Sequence, residues 1–153
     1  MVKQKKILVV FYSRTGNTKK VARIISKQLG AELSEITPLT NYHGGVGFLK
    51  AFLSGMFHRS PKIKHYKMPT NYDLVIIGTP KWPGGVSSPI RTFLKNEKFR
   101  RVAFFCTKGG LGSPFKPMEK LSNKPLATLD IDAKETSDNS YKQKIVDFLN
   151  KIK

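Results

Sequence analysis

Cysteine is nearly absent from this chain of 153 residues: Cys106 is its one representative. That excludes an internal disulfide framework and a cysteine-based zinc cluster. His43, His58 and His65 are the three histidines and lie scattered, so no metal site is expected. Acidic residues are also few. Ten Asp and Glu stand against 28 Lys and Arg, a formal net charge of +18. Long apolar runs are missing as well. Residues 7–12, ILVVFY, are too short for a secretory core and are broken by Ser13-Arg14. No stretch approaches a transmembrane span. The composition is 39% hydrophobic, too high for a disordered basic tail. There is no linker and no internal repeat. The expectation is one soluble, cytoplasmic domain over residues 1–153 with a basic surface.

A basic surface admits nucleic acid, an anionic membrane or an acidic protein or ligand, and selects none of them. The lysines are spread from Lys3 to Lys153. The clearest bias is the stretch between Glu35 and Asp73, which holds no acid and contains the basic segment 58–67. That segment matches no RNA-binding motif, so no specific nucleic-acid partner is expected.

Hydrophobic patterning then gives the architecture. Residues 7–12 are continuously apolar and rich in β-branched side chains, as a parallel strand covered on both faces reads. The same signature returns at 74–77 and 102–106, and more weakly at 126–131; 31–36 alternates like an edge strand. Helical periods lie between. Val21, Ala22, Ile25 and Leu29 form one stripe, closed by Gly30. Pro89, Ile90, Phe93 and Leu94 form another, and Tyr141, Ile145, Phe148, Leu149 and Ile152 a third. Residues 44–57 read as a crossover helix packed on the sheet, or else as a membrane-surface or partner-binding helix. Strands alternating with helices imply an α/β fold with a parallel sheet and helices on both faces.

The strongest chemical signal follows the first strand. Ser13, Arg14, Thr15, Gly16, Asn17 and Thr18 run directly into a helix. Unpaired N–H groups at a helix start carry a partial positive charge. Three hydroxyls can add donors, and Gly16 lets the backbone turn closely around an anion. This suits a terminal phosphate. It is neither a Walker A loop nor a G-x-G-x-x-G loop. An N-cap cluster without a ligand is the plainer alternative.

Residues 9–25, VVFYSRTGNTKKVARII, resemble the flavodoxin signature at every specified position. The resemblance extends over nearly the whole chain. Residues 72–82 look like the third strand and flavin loop of flavodoxin-like proteins, 88–94 like the helix after it, and 107–110 fall where the last flavin loop lies. The resemblance implies a doubly wound, five-stranded parallel sheet of order 2-1-3-4-5 in a three-layer α/β/α sandwich. It also implies FMN at the switch point between strands 1 and 3. By position, Ser13, Arg14, Thr15, Gly16, Asn17 and Thr18 would hold the phosphate. Pro80, Lys81, Trp82, Gly84 and Gly85 would flank the isoalloxazine, and Thr107, Lys108, Gly109 and Gly110 would close the pyrimidine side.

Two features depart from short electron-transfer flavodoxins. The chain is basic where they are acidic, and its last loop lacks the tyrosine that covers the outer flavin face; Phe115 is the nearest aromatic. No catalytic triad or paired-carboxylate constellation stands out, so the cofactor would carry the chemistry. Cys106 reads as packing. The implied function is an FMN redox protein that passes electrons to an acidic redox partner protein or a small electron acceptor. An NAD(P)H-dependent FMN or quinone reductase on the same scaffold is the alternative, and a basic binding module that has lost its flavin is a third reading.

Overall fold

Five segments pair side by side into one parallel sheet, the central ones continuously apolar. The structure, a computed structural model, describes residues 3–153. Strands β1 (Ile7–Phe11), β2 (Glu32–Glu35), β3 (Leu74–Trp82), β5 (Val102–Lys108) and β6 (Thr128–Asp132) run in the order β2-β1-β3-β5-β6. Counted along the parallel strands alone, this is the expected order 2-1-3-4-5. A two-residue strand, β4 (Gly85–Val86), pairs antiparallel with the end of β3. Registers are fixed by the apolar runs: Val9 lies beside Leu33 and Ile76, and Ile77 beside Phe104.

Alternation along the strands sorts the core into two faces. Leu8, Val10 and Tyr12 point to one side, where Ala51, Ile90, Phe93, Leu94 and Met118 cover them. Those residues come from α2 (Gly44–Met56), α3 (Ser88–Asn96) and α4 (Phe115–Leu121). Val9 and Phe11 point to the other side, under Val21, Ala22 and Ile25 of α1 (Asn17–Leu29) and Tyr141, Ile145 and Phe148 of α6 (Tyr141–Ile152). The result is three layers, helices on sheet on helices. A short α5 (Ala133–Asp138) follows β6, held by a capping box between Asp132 and Glu135. Gly30 ends α1 in the left-handed conformation, as its position after the stripe predicts.

Helix α2 differs from the others. Its buried residues are the small ones: Gly47, Ala51, Ser54 and Gly55. A Cβ on Gly47 would run into the backbone of Tyr42, and one on Gly55 into the carbonyl of Pro83. The helix therefore lies close against the 42–43 segment and the β3–β4 turn, and its large apolar side chains face outward.

The basic segment 58–67 is a strap stitched onto this face. Leu39 N–H donates to the Lys62 carbonyl (2.9 Å) and Lys64 N–H to the Thr37 carbonyl (2.8 Å). The Thr92 hydroxyl donates to the Pro61 carbonyl (2.6 Å), and the Tyr66 hydroxyl to Glu97 (2.6 Å).

Candidate functional site

The chain leaves β1 toward β2 on one side, while β3 lies on the other. A crevice opens at the carboxyl ends of the strands where the winding reverses. A cleft of about 280 Å³ lies there, just under the usual ligand-cleft range of roughly 300–1,000 Å³. Its wall brings together three loops that are far apart in sequence: Arg14, Thr15 and Asn17 after β1; Pro80, Lys81, Trp82 and Pro83 at the end of β3; and Thr107, Lys108 and Gly109 at the end of β5.

The first loop ends in an open helix start. Gly16 is the N-cap of α1, in the left-handed region (φ 102°), and no side chain caps the first turn. That turn holds no acidic residue. Its N–H groups therefore present uncompensated partial positive charge. Within the loop, Gly16 N–H donates to the Ser13 hydroxyl (3.0 Å). Thr15 is exposed at the cleft. Thr18 is buried, and its hydroxyl bonds that of Thr107 at 2.7 Å, joining the first loop to the third. One hydrogen serves that bond, which leaves the other hydroxyl's hydrogen available to a ligand.

Arg14 clamps the first loop to the start of α2. Its Nε donates to the Tyr42 carbonyl (3.0 Å), and its guanidinium carbon lies 5.3 Å from the centre of the Phe48 ring. Trp82 is 6% exposed and is held edge-on by Tyr12 and Tyr42, with ring centroids 5.7 and 5.0 Å away. It is thus an anchored residue that also forms part of the cleft wall. Burial pushes the Tyr12 phenol above its usual range, with Tyr42 adding to the effect, so the Tyr12 ring acts as neutral packing.

The third loop is braced by cations. Lys81 donates to the Leu111 carbonyl. Lys108 reaches the Gly112 carbonyl (3.3 Å) and the Asp130 carboxylate (3.2 Å). Both lysines line the cleft, but each is tied to protein, and Asp130 partly offsets the charge of Lys108. A Cβ at Gly109 or Gly110 would meet nothing, so this loop faces open space.

Nine of the fifteen residues picked out from the sequence line the cleft. Ser13, Gly16 and Thr18 stand just behind them in the first loop, and Gly110 in the third. Gly84 and Gly85 lie outside the wall. Pro83 and Gly84, the latter at φ 84°, make the tight turn between β3 and β4. A Cβ on Gly84 would collide with the Gly55 carbonyl, and one on Gly85 would touch Pro117. Both glycines therefore serve a turn packed under α2 and α4. Phe115 is also remote from the wall; it stacks on Phe104.

The sequence reading missed Phe48, Ala51 and Phe52 of α2, Pro83, and Ala133 of α5. A signal for the first three existed. Small residues 47, 51, 54 and 55 recur with helical spacing, which marks the buried face and turns Phe48 and Phe52 toward the cleft mouth.

The strand order and the crevice at its switch point define a flavodoxin-like α/β protein. No family model matches the chain, and no curated protein matches it in sequence. Solved structures match it in fold. A flavoprotein from Lactobacillus acidophilus NCFM, solved in complex with FMN, is 28% identical at a TM-score of 0.68, over 88% of this chain and 97% of that one. Flavodoxin 2 from Bacillus cereus in its oxidised form shares the fold at 18% identity and a TM-score of 0.55, over 95% of this chain and 99% of that one. An NADH:FMN oxidoreductase, solved in its apo form, does so at 15% and 0.55, over 96% and 86%.

Proposed function

We propose that this protein binds FMN in the switch-point cleft and transfers electrons through it. One observation carries the reading: a single cleft joins an uncapped, acid-free helix start to an anchored tryptophan and to a glycine-containing third loop. The donor set fits the group. A phosphate needs N–H and hydroxyl donors without a competing carboxylate, which the Ser13–Thr18 loop offers. A planar heteroaromatic ring needs apolar and aromatic walls with a few polar edges, which Trp82, Phe48 and Phe52 provide beside Thr107 and Gly109. Bound FMN supplies one- and two-electron redox chemistry.

The residues around it do the rest. The first-turn N–H groups of α1 and the Thr15 hydroxyl hold the phosphate; the Thr18–Thr107 bond fixes the spacing between the first and third loops. Arg14 keeps α2 against the cleft and adds positive charge near the phosphate end. Lys81 and Lys108 hold the 108–112 turn in place, and their charge favours an anionic ring. Trp82 and the two phenylalanines exclude water from the ring faces they cover. Partners reach the cofactor through a mouth lined by cations, so an acidic redox protein or a small acceptor is favoured there.

A second reading, NAD(P)H-dependent reduction of FMN or a quinone, draws on the openness of the cleft. Phe48 is 60% exposed, so a small substrate has access on that side.

The test is direct. Purified protein should be yellow or take up added FMN. Loss of two hydroxyls in Thr15→Ala/Thr18→Ala should weaken FMN binding by about 1.5 kcal/mol or more, the range of a hydrogen bond to a charged group. Colourless protein that binds no FMN, or unchanged affinity in the double variant, overturns the phosphate-loop assignment. Mixing with NADH or NADPH then separates the two roles: rapid bleaching marks the reductase, and reduction only by a protein donor marks the carrier.

A further inference from the structure

Helix α2 buries its small face and exposes its large one. Val46, Phe48, Leu49, Leu53, Met56 and the following Phe57 all face solvent, with Val46 72% and Phe57 63% exposed. On a helical projection these side chains cover roughly half of the circumference. That inverts the pattern of an ordinary crossover helix, whose large apolar side chains pack on the sheet. A contiguous apolar surface of this kind marks an interaction site.

The surroundings indicate what covers it. Residues 36–72 contain no acid at all. Lys50 lies at the edge of the apolar arc, and Arg59, Lys62 and Lys64 follow it, each exposed. Among the described residues none of these four has an acidic partner. The exposed arc itself carries no side-chain hydrogen-bonding group. Protein interfaces need about one hydrogen bond per 100–200 Å²; the apolar layer of a bilayer needs none. A second copy of the chain would bring another +18 against the same face.

We infer that α2 is an interfacial helix that seats this protein on an anionic membrane surface. The apolar arc enters the boundary between headgroups and acyl chains, while Lys50, Arg59, Lys62 and Lys64 meet the phosphates. At 13 residues the helix lies in the surface plane; among the described residues no helix is long and apolar enough to cross a membrane. Phe48 and Phe52 belong both to α2 and to the cleft wall, so the cleft mouth faces along the lipid surface. The seating does not depend on whether FMN binds.

The experiment is co-sedimentation of the full chain with vesicles, with and without FMN. The protein should pellet with equimolar phosphatidylcholine and phosphatidylglycerol and stay in solution with phosphatidylcholine alone. High salt should weaken the binding. Val46→Gln/Leu49→Gln/Phe57→Gln changes only exposed side chains outside the cleft wall. It should lower the partition coefficient by roughly tenfold or more while leaving FMN affinity unchanged. A charge-reversed variant, Lys50→Glu/Lys62→Glu/Lys64→Glu, should lose anionic-vesicle binding to a similar degree and keeps the test decisive if the first variant folds poorly. Wild-type protein that stays in solution with the mixed vesicles overturns the proposal. So does pelleting that the Gln variant leaves unaltered, since charge alone would then account for it. A wild-type dimer that the Gln variant dissociates, or an acidic protein that competes for α2 without any vesicle binding, overturns it as well.

Discussion

At the scale of single residues, closeness of approach decides which changes the protein tolerates. Gly47 in α2 lies where a Cβ would meet the Tyr42 backbone, and Gly78 in β3 where it would meet the Phe105 ring. Neither site has room for a methyl group in a packed interior. Gly47→Ala and Gly78→Ala should each lower stability by about 1–3 kcal/mol, read as a shift in the urea midpoint. Gly47→Ala should be the costlier relative to its exposure, because backbone cannot yield as a ring can. Cys106 is the opposite case, a residue expected to do nothing. It is fully buried within β5, ahead of Thr107 and Lys108, and burial, with the Asp130 charge second, pushes its thiol up to about 12. Its thiolate is therefore scarce at neutral pH. Iodoacetamide should leave the native protein unlabelled and label it fully in denaturant; fast native labelling would contradict this. Packing at Cys106 was legible in the sequence, because a small apolar residue closed an unbroken apolar run. The bond from Thr18 to Thr107 was not, since it joins hydroxyls 89 residues apart that only the fold brings together.

At the scale of elements, the sheet was legible and its trimmings were not. Fully buried strands read as unbroken apolar runs, so β1, β3 and β5 stood out, and the resemblance around residues 9–25 supplied their order. β3 runs on through Pro80 and Lys81 to Trp82, past the apolar run, because the β4 hairpin pairs with its end. Tertiary pairing extended it, which residue propensity does not show. For α2 the composition leaves a crossover helix packed on the sheet and a surface helix both open; the fold shows that its stripe of small residues, Gly47, Ala51, Ser54 and Gly55, is the packed face. Ion pairs between elements give a pH dependence that also belongs here. Lys144 of α6 bonds Glu135 of α5 at 2.7 Å, and Lys67 of the strap bonds Glu32 of β2 at 2.6 Å. Each lysine, by its hydrogen bond above all, holds its glutamate below the usual value. Each glutamate raises its lysine in return. A lowered carboxyl value gives stability that is present above the unfolded value of ~4.3 and lost as pH falls through the folded one. A raised lysine value gives stability that is present below ~10.4 and lost as pH rises through the folded one. The pairs thus contribute across a plateau between those limits. Lys144→Met should reduce stability on that plateau by less than ~1 kcal/mol, as half-exposed pairs do. The difference from wild type should vanish at both acidic and alkaline ends of a urea titration; a difference independent of pH would assign the effect to packing.

At the scale of the whole molecule, the charge of +18 is set against a cleft whose own cations are mostly engaged. Arg14, Lys81 and Lys108 are tied to carbonyls or to Asp130. Much of the remaining charge lies on exposed lysines and arginines, which act at long range and set who approaches rather than what reacts. If FMN is held as proposed, an acidic electron partner should meet the protein faster than diffusion without steering allows. That advantage is screened as the Debye length shrinks from ~10 Å at 0.1 M salt to ~3 Å at 1 M. Second-order electron transfer with an acidic redox protein should therefore slow by roughly tenfold or more across that range. Transfer to a neutral quinone should hardly respond, since no charge steers it. Stopped-flow rates measured for both acceptors across the salt series separate the two contributions. Rates with the acidic protein that stay flat would show that the basic surface does not guide it, and would leave the charge to the surface around α2.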